Sequence, residues 1–196
     1  MTTLALGGDH FISYPILQAL HEVHDPLSLI HFDAHSDTWD DDDGRIDHGT
    51  MFFHAAHQGL VDPAHSVQVG MRTRNPEAHG YQVLDARWLH AHGVDACIAT
   101  ISERVDTRKC HVSFDIDFLD PACAPGTGTP VIGGFDTHVA LRLMRGLAGL
   151  HIVGMDVVEV SPPYDTSEIT ALAPASIAQE LLAAHASRFP GRPPAE

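Results

Sequence analysis

An α/β fold, with a mostly parallel sheet covered by helices on both faces, is what this 196-residue sequence predicts. Three observations carry the prediction. Short apolar runs alternate with segments of helical spacing along the chain, the pattern of successive βαβ units. The runs LSLIHF at 27–32 and IVGMDVVEV at 152–160 are nearly continuous, so both of their faces are buried, as in a parallel sheet. No linker or internal repeat divides the chain, so residues 1–188 read as one domain and 189–196 (FPGRPPAE) as a loose tail.

Taken in order, residues 4–6 form a short strand that stops at Gly7-Gly8. Ser13 is placed to cap a helix that has Pro15 near its first turn and runs to about Val23. The strand at 27–32 leads into a polar loop through the acidic stretch Asp40 to Asp43, then a helix over 48–57. Residues 67–71 and 81–84 are strands, and 86–105 are helical in two pieces. A strand at 111–114 (HVSF) opens a Gly/Pro/Thr-rich loop to Gly134. A helix at 137–147, the strand at 152–160 and an alanine-rich helix at 167–186 complete the chain. Open α/β sheets collect ligands outside the carboxyl ends of their strands. His10 follows the first strand, Asp33 the second, Asp115 follows HVSF, and Glu159 lies late in the last strand.

Composition narrows the function classes. Hydrophobic residues at 44% and charged residues at 19% fit a soluble globular protein. No apolar run approaches the roughly 18 residues of a membrane span, and the N-terminus lacks a secretory pattern, so no membrane partner is expected. Cys97, Cys110 and Cys123 are scattered and odd in number, which points to a reducing, cytoplasmic compartment. A net charge of −15 excludes the basic surface that nucleic acid requires and suits a cationic substrate.

Several acids fall in clusters suited to metal. Asp33, His35 and Asp37 occupy alternate positions just after a buried strand, where extended backbone points them to one side. Asp115 and Asp117 repeat the device, and His10 adds a second imidazole. In a chain with 16 histidines any one of these is an ordinary loop pair or strand-end acid; their joint occurrence at strand ends is the signal. Four carboxylates packed together repel unless some protonate or cations intervene. Carboxylates with a little imidazole suit hard or borderline divalent ions such as Mn2+.

These residues also carry a family resemblance. GGDH at 7–10, HFDAHSDT at 31–38, DHGTMF at 47–52, SFDIDFLDPACAPGTGTPVIGG at 113–134 and GMDVVEVSPPYDTSEITALA at 154–173 resemble the signature blocks of the arginase/agmatinase/deacetylase superfamily. The third and fifth blocks, with HSVQVGMRT at 65–73, are most similar to agmatinases. The resemblance implies a three-layer α/β/α fold, two Mn2+ ions, and hydrolysis of agmatine to putrescine and urea by a metal-bridging hydroxide. It implies that His10, Asp33, Asp37 and Asp115 hold one manganese. His35, Asp33, Asp115 and Asp117 hold the other, with Asp33 and Asp115 bridging. His48 matches the proton-shuttling histidine, and Glu159 the glutamate that pairs with the substrate guanidinium. Guanidinobutyrate and arginine are the alternative substrates. Asp40 to Asp43 reads as a solvated acidic turn or a lure for the distal ammonium of agmatine, and Trp39, Phe52 and Phe53 as packing residues.

Members of this family carry a substantial segment before the Gly-Gly-Asp-His block, which here begins six residues after Met1. The resemblance implies that the first strands are missing, which leaves the strand beneath His10 as an exposed sheet edge. Three expectations follow: an active hydrolase, a weakly active metal-binding fragment, and a non-catalytic subunit. The family commonly forms trimers or hexamers, so a homo-oligomer is expected.

Overall fold

The structure is a computed structural model that describes residues 2–40 and 44–189. Six strands form one sheet: β1 (Thr3–Leu6), β2 (Ser28–Phe32), β3 (Val67–Val69), β4 (Gln82–Leu84), β5 (Lys109–Asp115) and β6 (His151–Val158). Their order is β1-β6-β5-β2-β3-β4, and every pairing is parallel. All carboxyl ends therefore open on one edge of the sheet. Helices α1 (Ser13–His21) and α2 (Met51–His57) cover one face, packing Tyr14, Leu17, Met51 and Phe52 against Leu29 and Val153. Helices α3 (Ala86–Val105), α4 (Thr137–Gly146) and α5 (Ile169–Ala186) cover the other, over a larger core that includes Phe32, Val112 and Phe114. The result is the expected three-layer α/β/α arrangement.

The strand register explains where polarity sits. Leu4, Met155, Val112, Ile30 and Val67 are aligned across five strands, and Val157, Phe114, Phe32 and Val69 align two residues further on. Both rows point into the core under α3, α4 and α5. The row between them must face α1 and α2, because successive side chains alternate faces. It reads Asp156, Ser113, His31, Gln68, all of them buried. A buried polar row persists only if its members satisfy one another. Here Ser113 donates to Asp156 and Gln68 to His31, with Gln68 Oε1 left unpartnered, and the row forms the floor of the site.

Several expectations need adjustment. Ser13 does not cap α1: a 3-10 turn over His10–Ile12 leads straight into the helix, and the Ser13 hydroxyl donates to Asp156 Oδ2 at 2.8 Å. Helix α2 starts at Met51, three residues later than expected, because Asp47 and Thr50 close a turn ahead of it. Glu159 lies just past β6 with φ 63°, so the strand ends where its backbone turns left-handed. Trp39 is 44% exposed, whereas Phe52 is fully buried and Phe53 lies tilted against the His57 ring. The two-piece reading of 86–105 is met by Gly93 at φ 81°, which breaks α3. Among the described residues β1 has a strand neighbour on one side only, as expected of an edge. No described helix is long and apolar enough to cross a membrane. Asp40 is exposed in a loop, and Asp41 to Asp43 lie outside the described residues, as does the tail from 190 on.

Candidate metal centre

The polar row continues past the strand ends. Asp33 stands two residues beyond His31 on the same face, and Asp115, the last residue of β5, two beyond Ser113. The turn after β1 brings His10 beside them, and Asp37 completes the group in a left-handed conformation (φ 52°), which Asp tolerates better than most residues. His10 Nδ1 lies 2.9 Å from Asp37 Oδ2, 3.3 Å from Asp33 Oδ2 and 3.3 Å from Asp115 Oδ2. A second group adjoins it: His35 Nδ1 is 3.0 Å from Asp117 Oδ2 and 3.3 Å from Asp33 Oδ1. Asp33 therefore offers one oxygen to each group. Asp115 faces the first group through Oδ2, while its Oδ1 accepts the Asp117 N–H at 2.7 Å. All six residues singled out in the sequence come together, and all but half-exposed His35 are buried.

The electrostatics of the two groups are unbalanced without a cation. Burial pushes the Asp115 carboxyl well above the usual range, and Asp33 and Asp117 push it the same way. Burial and Asp33 also raise Asp37, and they raise Asp117 to about 6. At Asp33 burial acts upward too, but His31, His10 and His35 outweigh it and hold the group well below the usual range. At His35 burial opposes charge, yet Asp117 and Asp33 lift the imidazole to about 11. Crowded, buried carboxylates of this kind favour a nearby positive charge, whether a proton or a cation.

His10 provides an independent test of fit. Ser113 donates its hydroxyl to Asp156 Oδ1 at 2.7 Å, so its oxygen accepts from His10 Nε2–H, also at 2.7 Å. Burial disfavours charge on His10, but Asp115, Asp33 and Asp37 outweigh it and raise the imidazole well above its usual value. Without a cation, Nδ1 is therefore driven to hold a proton. In the neutral form that a metal ligand takes, its Nδ1 lone pair is buried, has no hydrogen-bond partner, and is aimed at three carboxylate oxygens. A lone pair facing carboxylates is repulsive unless a cation lies between them. The donors, carboxylate and imidazole with no thiolate, suit a hard or borderline divalent ion. The residues fit a metal.

His31 needs separate treatment. It lies within ligand range of His10, Asp33 and Asp37. However, Gln68 Nε2 is fixed by Ser36 O at 2.6 Å and donates to His31 Nδ1 at 3.2 Å. The His31 proton therefore sits on Nε2 and is donated to Asp33 Oδ2 at 2.8 Å. With both ring nitrogens engaged in this way, His31 is placed to orient Asp33 from behind, as hydrogen-bonding groups do behind metal-binding carboxylates.

The remaining candidates lie at the mouth of the centre. Glu159 is half-buried, which raises its pKa, and its Oε1 accepts the His10 N–H at 2.6 Å. Its own N–H donates to Gly8 O at 2.7 Å. His48 is exposed on the loop before α2, with Nδ1 3.2 Å from Asp9 Oδ2. Sequence reasoning singled out neither Asp9 nor the floor residues His31, His111, Ser113 and Asp156. Asp156 carried a usable signal: an acid inside an apolar strand needs a partner. Here it has three, His111 Nε2 at 2.7 Å, Ser13 Oγ at 2.8 Å and Ser113 Oγ at 2.7 Å.

Comparison with known proteins agrees with the fold. The agmatinase of Photorhabdus laumondii is 55% identical over 185 residues, covering 94% of this chain and 60% of that protein. The agmatinase of Chromobacterium violaceum is 55% identical over 181 residues, 91% of this chain and 56% of that protein. Among solved structures, a hypothetical agmatinase from Burkholderia thailandensis superposes with a TM-score of 0.94 at 53% identity, over 97% of this chain and 61% of that one. Proclavaminate amidino hydrolase from Streptomyces clavuligerus gives 0.92 at 43% identity, over 96% and 65%. The chain spans about 60% of the length of the curated relatives it matches. A model of the arginase family matches residues 1–184, and the chain belongs to that family.

Proposed function

We propose that this chain is a binuclear manganese hydrolase of the agmatinase type, cleaving agmatine to putrescine and urea. The observation that carries the reading is the pair of carboxylate–imidazole groups sharing Asp33, with His10 Nδ1 orphaned among three carboxylates. His10, Asp33, Asp37 and Asp115 would hold one Mn2+, and His35, Asp33, Asp115 and Asp117 the other. Bound there, two divalent ions would offset the crowded acids and supply a water that ionises near neutral pH.

This chain's residues do the rest. Glu159 pairs with the guanidinium, whose planar fork matches a carboxylate, and sets its carbon toward the attacking oxygen. Attack makes that carbon tetrahedral, and the C–N bond to the leaving amine then breaks. His48 hands a proton to the departing nitrogen, a task suited to an imidazole. The agmatinases among the relatives support agmatine over arginine or guanidinobutyrate.

The test is urea release from agmatine, arginine and guanidinobutyrate with added Mn2+. Release from agmatine alone supports the reading. Full metal loading without urea from any of the three overturns the catalytic part and leaves a metal-binding subunit. Size-exclusion with and without a full-length relative would detect such a subunit as a mixed oligomer.

A further inference from the structure

One short turn ties the three parts of the site together. Gly8 O accepts the Glu159 N–H, and His10 N–H donates to Glu159 Oε1, while the His10 ring faces the carboxylates. Between them stands Asp9. Its Oδ1 accepts the Phe11 N–H at 2.9 Å and so fixes the turn, and its Oδ2 lies 3.2 Å from His48 Nδ1. A carboxylate has no proton to give in this contact, so the proton lies on His48 Nδ1.

We propose that Asp9 is a positioning residue that fixes the His48 tautomer, holding Nδ1–H so that Nε2 alone exchanges protons with the substrate amine. The inference rests on the role given to His48 above. In the transfer, the Nε2–H bond of the imidazolium breaks as an N–H bond forms on the departing amine. Nε2 keeps the electron pair and is reloaded from solvent with a proton equal to the one released when the attacking water ionised, so the cycle is proton-neutral. Because Asp9 holds Nδ1–H throughout, the nitrogen that gave the proton is the one that takes the next. The other neutral tautomer would put its lone pair on Nδ1, facing Asp9, and leave Nε2 unable to accept. The placement of Asp9 beside His10 also sets the shuttle against the metal-bearing turn, with no further element between them.

The test exploits the shape of asparagine. In Asp9→Asn the Oδ1 can still accept from Phe11, so the turn keeps its lock, but an NH2 now faces His48 Nδ1 and demands a lone pair there. The ring 15N shifts of His48, assigned by their loss in His48→Ala and read with Zn2+ in the site, report which nitrogen carries the proton. The expected result is Nδ1–H in the parent chain and Nε2–H in Asp9→Asn. An Nε2–H form in the parent chain, or no change in the variant, overturns the proposal and leaves an exposed ion pair without consequence.

Turnover gives a second, separable readout. Asp9→Asn should lower kcat roughly two- to fivefold, in keeping with an exposed pair, with KM and bound metal unchanged. The same substitution in a His48→Ala background should cause no further loss. A loss that persists in that background means Asp9 acts elsewhere and overturns the proposal. Full activity in His48→Ala instead sinks the shuttle assignment, while the 15N result still decides the pairing.

Discussion

Asp156 offers a direct test of the buried floor. It is fully buried in β6, its carboxylate accepting from His111, Ser13 and Ser113. Its pKa lies below the usual value: burial acts upward, but His111 and Ser113 outweigh it. Replacement by Leu adds bulk and strands three buried donors. Breaking one partner out of a buried charged pair costs about 3–5 kcal/mol, which for a chain of this size lowers Tm by roughly 6–20 °C. Asp156→Asn keeps one acceptor oxygen and should lose less, about 1–3 kcal/mol. Thermal melts followed by circular dichroism would measure both. The pH dependence has a fixed sign. A group whose folded pKa is depressed contributes stability above its unfolded value of about 4, so the gap between parent and Asn variant is full at neutral pH and closes as the pH falls below that. An Asp156→Leu chain melting within a degree or two of the parent at pH 7 would refute the reasoning. It would mean that the row is tolerated by the fold and does not support it.

Other perturbations test other parts. Asp33→Ala, which touches both groups, should abolish tight binding of both Mn2+ ions, whereas Asp37→Ala should spare the His35 group; bound metal by elemental analysis after gel filtration distinguishes them. His48→Ala should lower kcat by about a hundredfold or more with metal content intact, checked by urea release and the same metal assay. Saturating Mn2+ at about 100 times its dissociation constant should add about 2.7 kcal/mol per site to stability, visible as a rise of several degrees in Tm. Gly70→Ala should destabilise strongly, since Gly70 has φ 94° and a Cβ there would lie 2.5 Å from the Phe118 ring; denaturant unfolding would show it.

Much of the fold was legible because its signals are local. The continuous apolar runs at β2 and β6 belong to strands buried on both faces, and Gly93 marks the break in α3. Five of the six candidate ligands were readable from their alternate spacing just after buried strands, although the structure brings them together by turns and not by extended backbone: β2 ends at Phe32, Asp37 is left-handed and Asp117 lies in a 3-10 turn. Ser13 was misread for a physical reason: a serine before a helical run serves as a cap or as a donor to something distant, and the distant partner, Asp156, is 143 residues away. Glu159 shows the same limit. Its apolar neighbours hide a left-handed backbone that only the contact with Gly8 and His10 requires.

The floor of the site was hidden for a related reason. His31, Ser113 and Asp156 each look like a single polar residue in an apolar strand, and only the register across three strands sets them side by side. Once aligned, they carry order upward. Asp156 accepts from Ser113, which frees the serine oxygen to take the His10 Nε2 proton; Gln68 sets the His31 tautomer, which directs a proton at Asp33. His10 and Asp33 thus have their donor and acceptor roles set from below. Two hydrogen-bonded chains, Asp156–Ser113–His10 and Gln68–His31–Asp33, link the polarity inside the sheet to the groups at the strand ends. A substitution in the row should therefore change metal binding as well as stability, which an apolar core position of equal burial would not do.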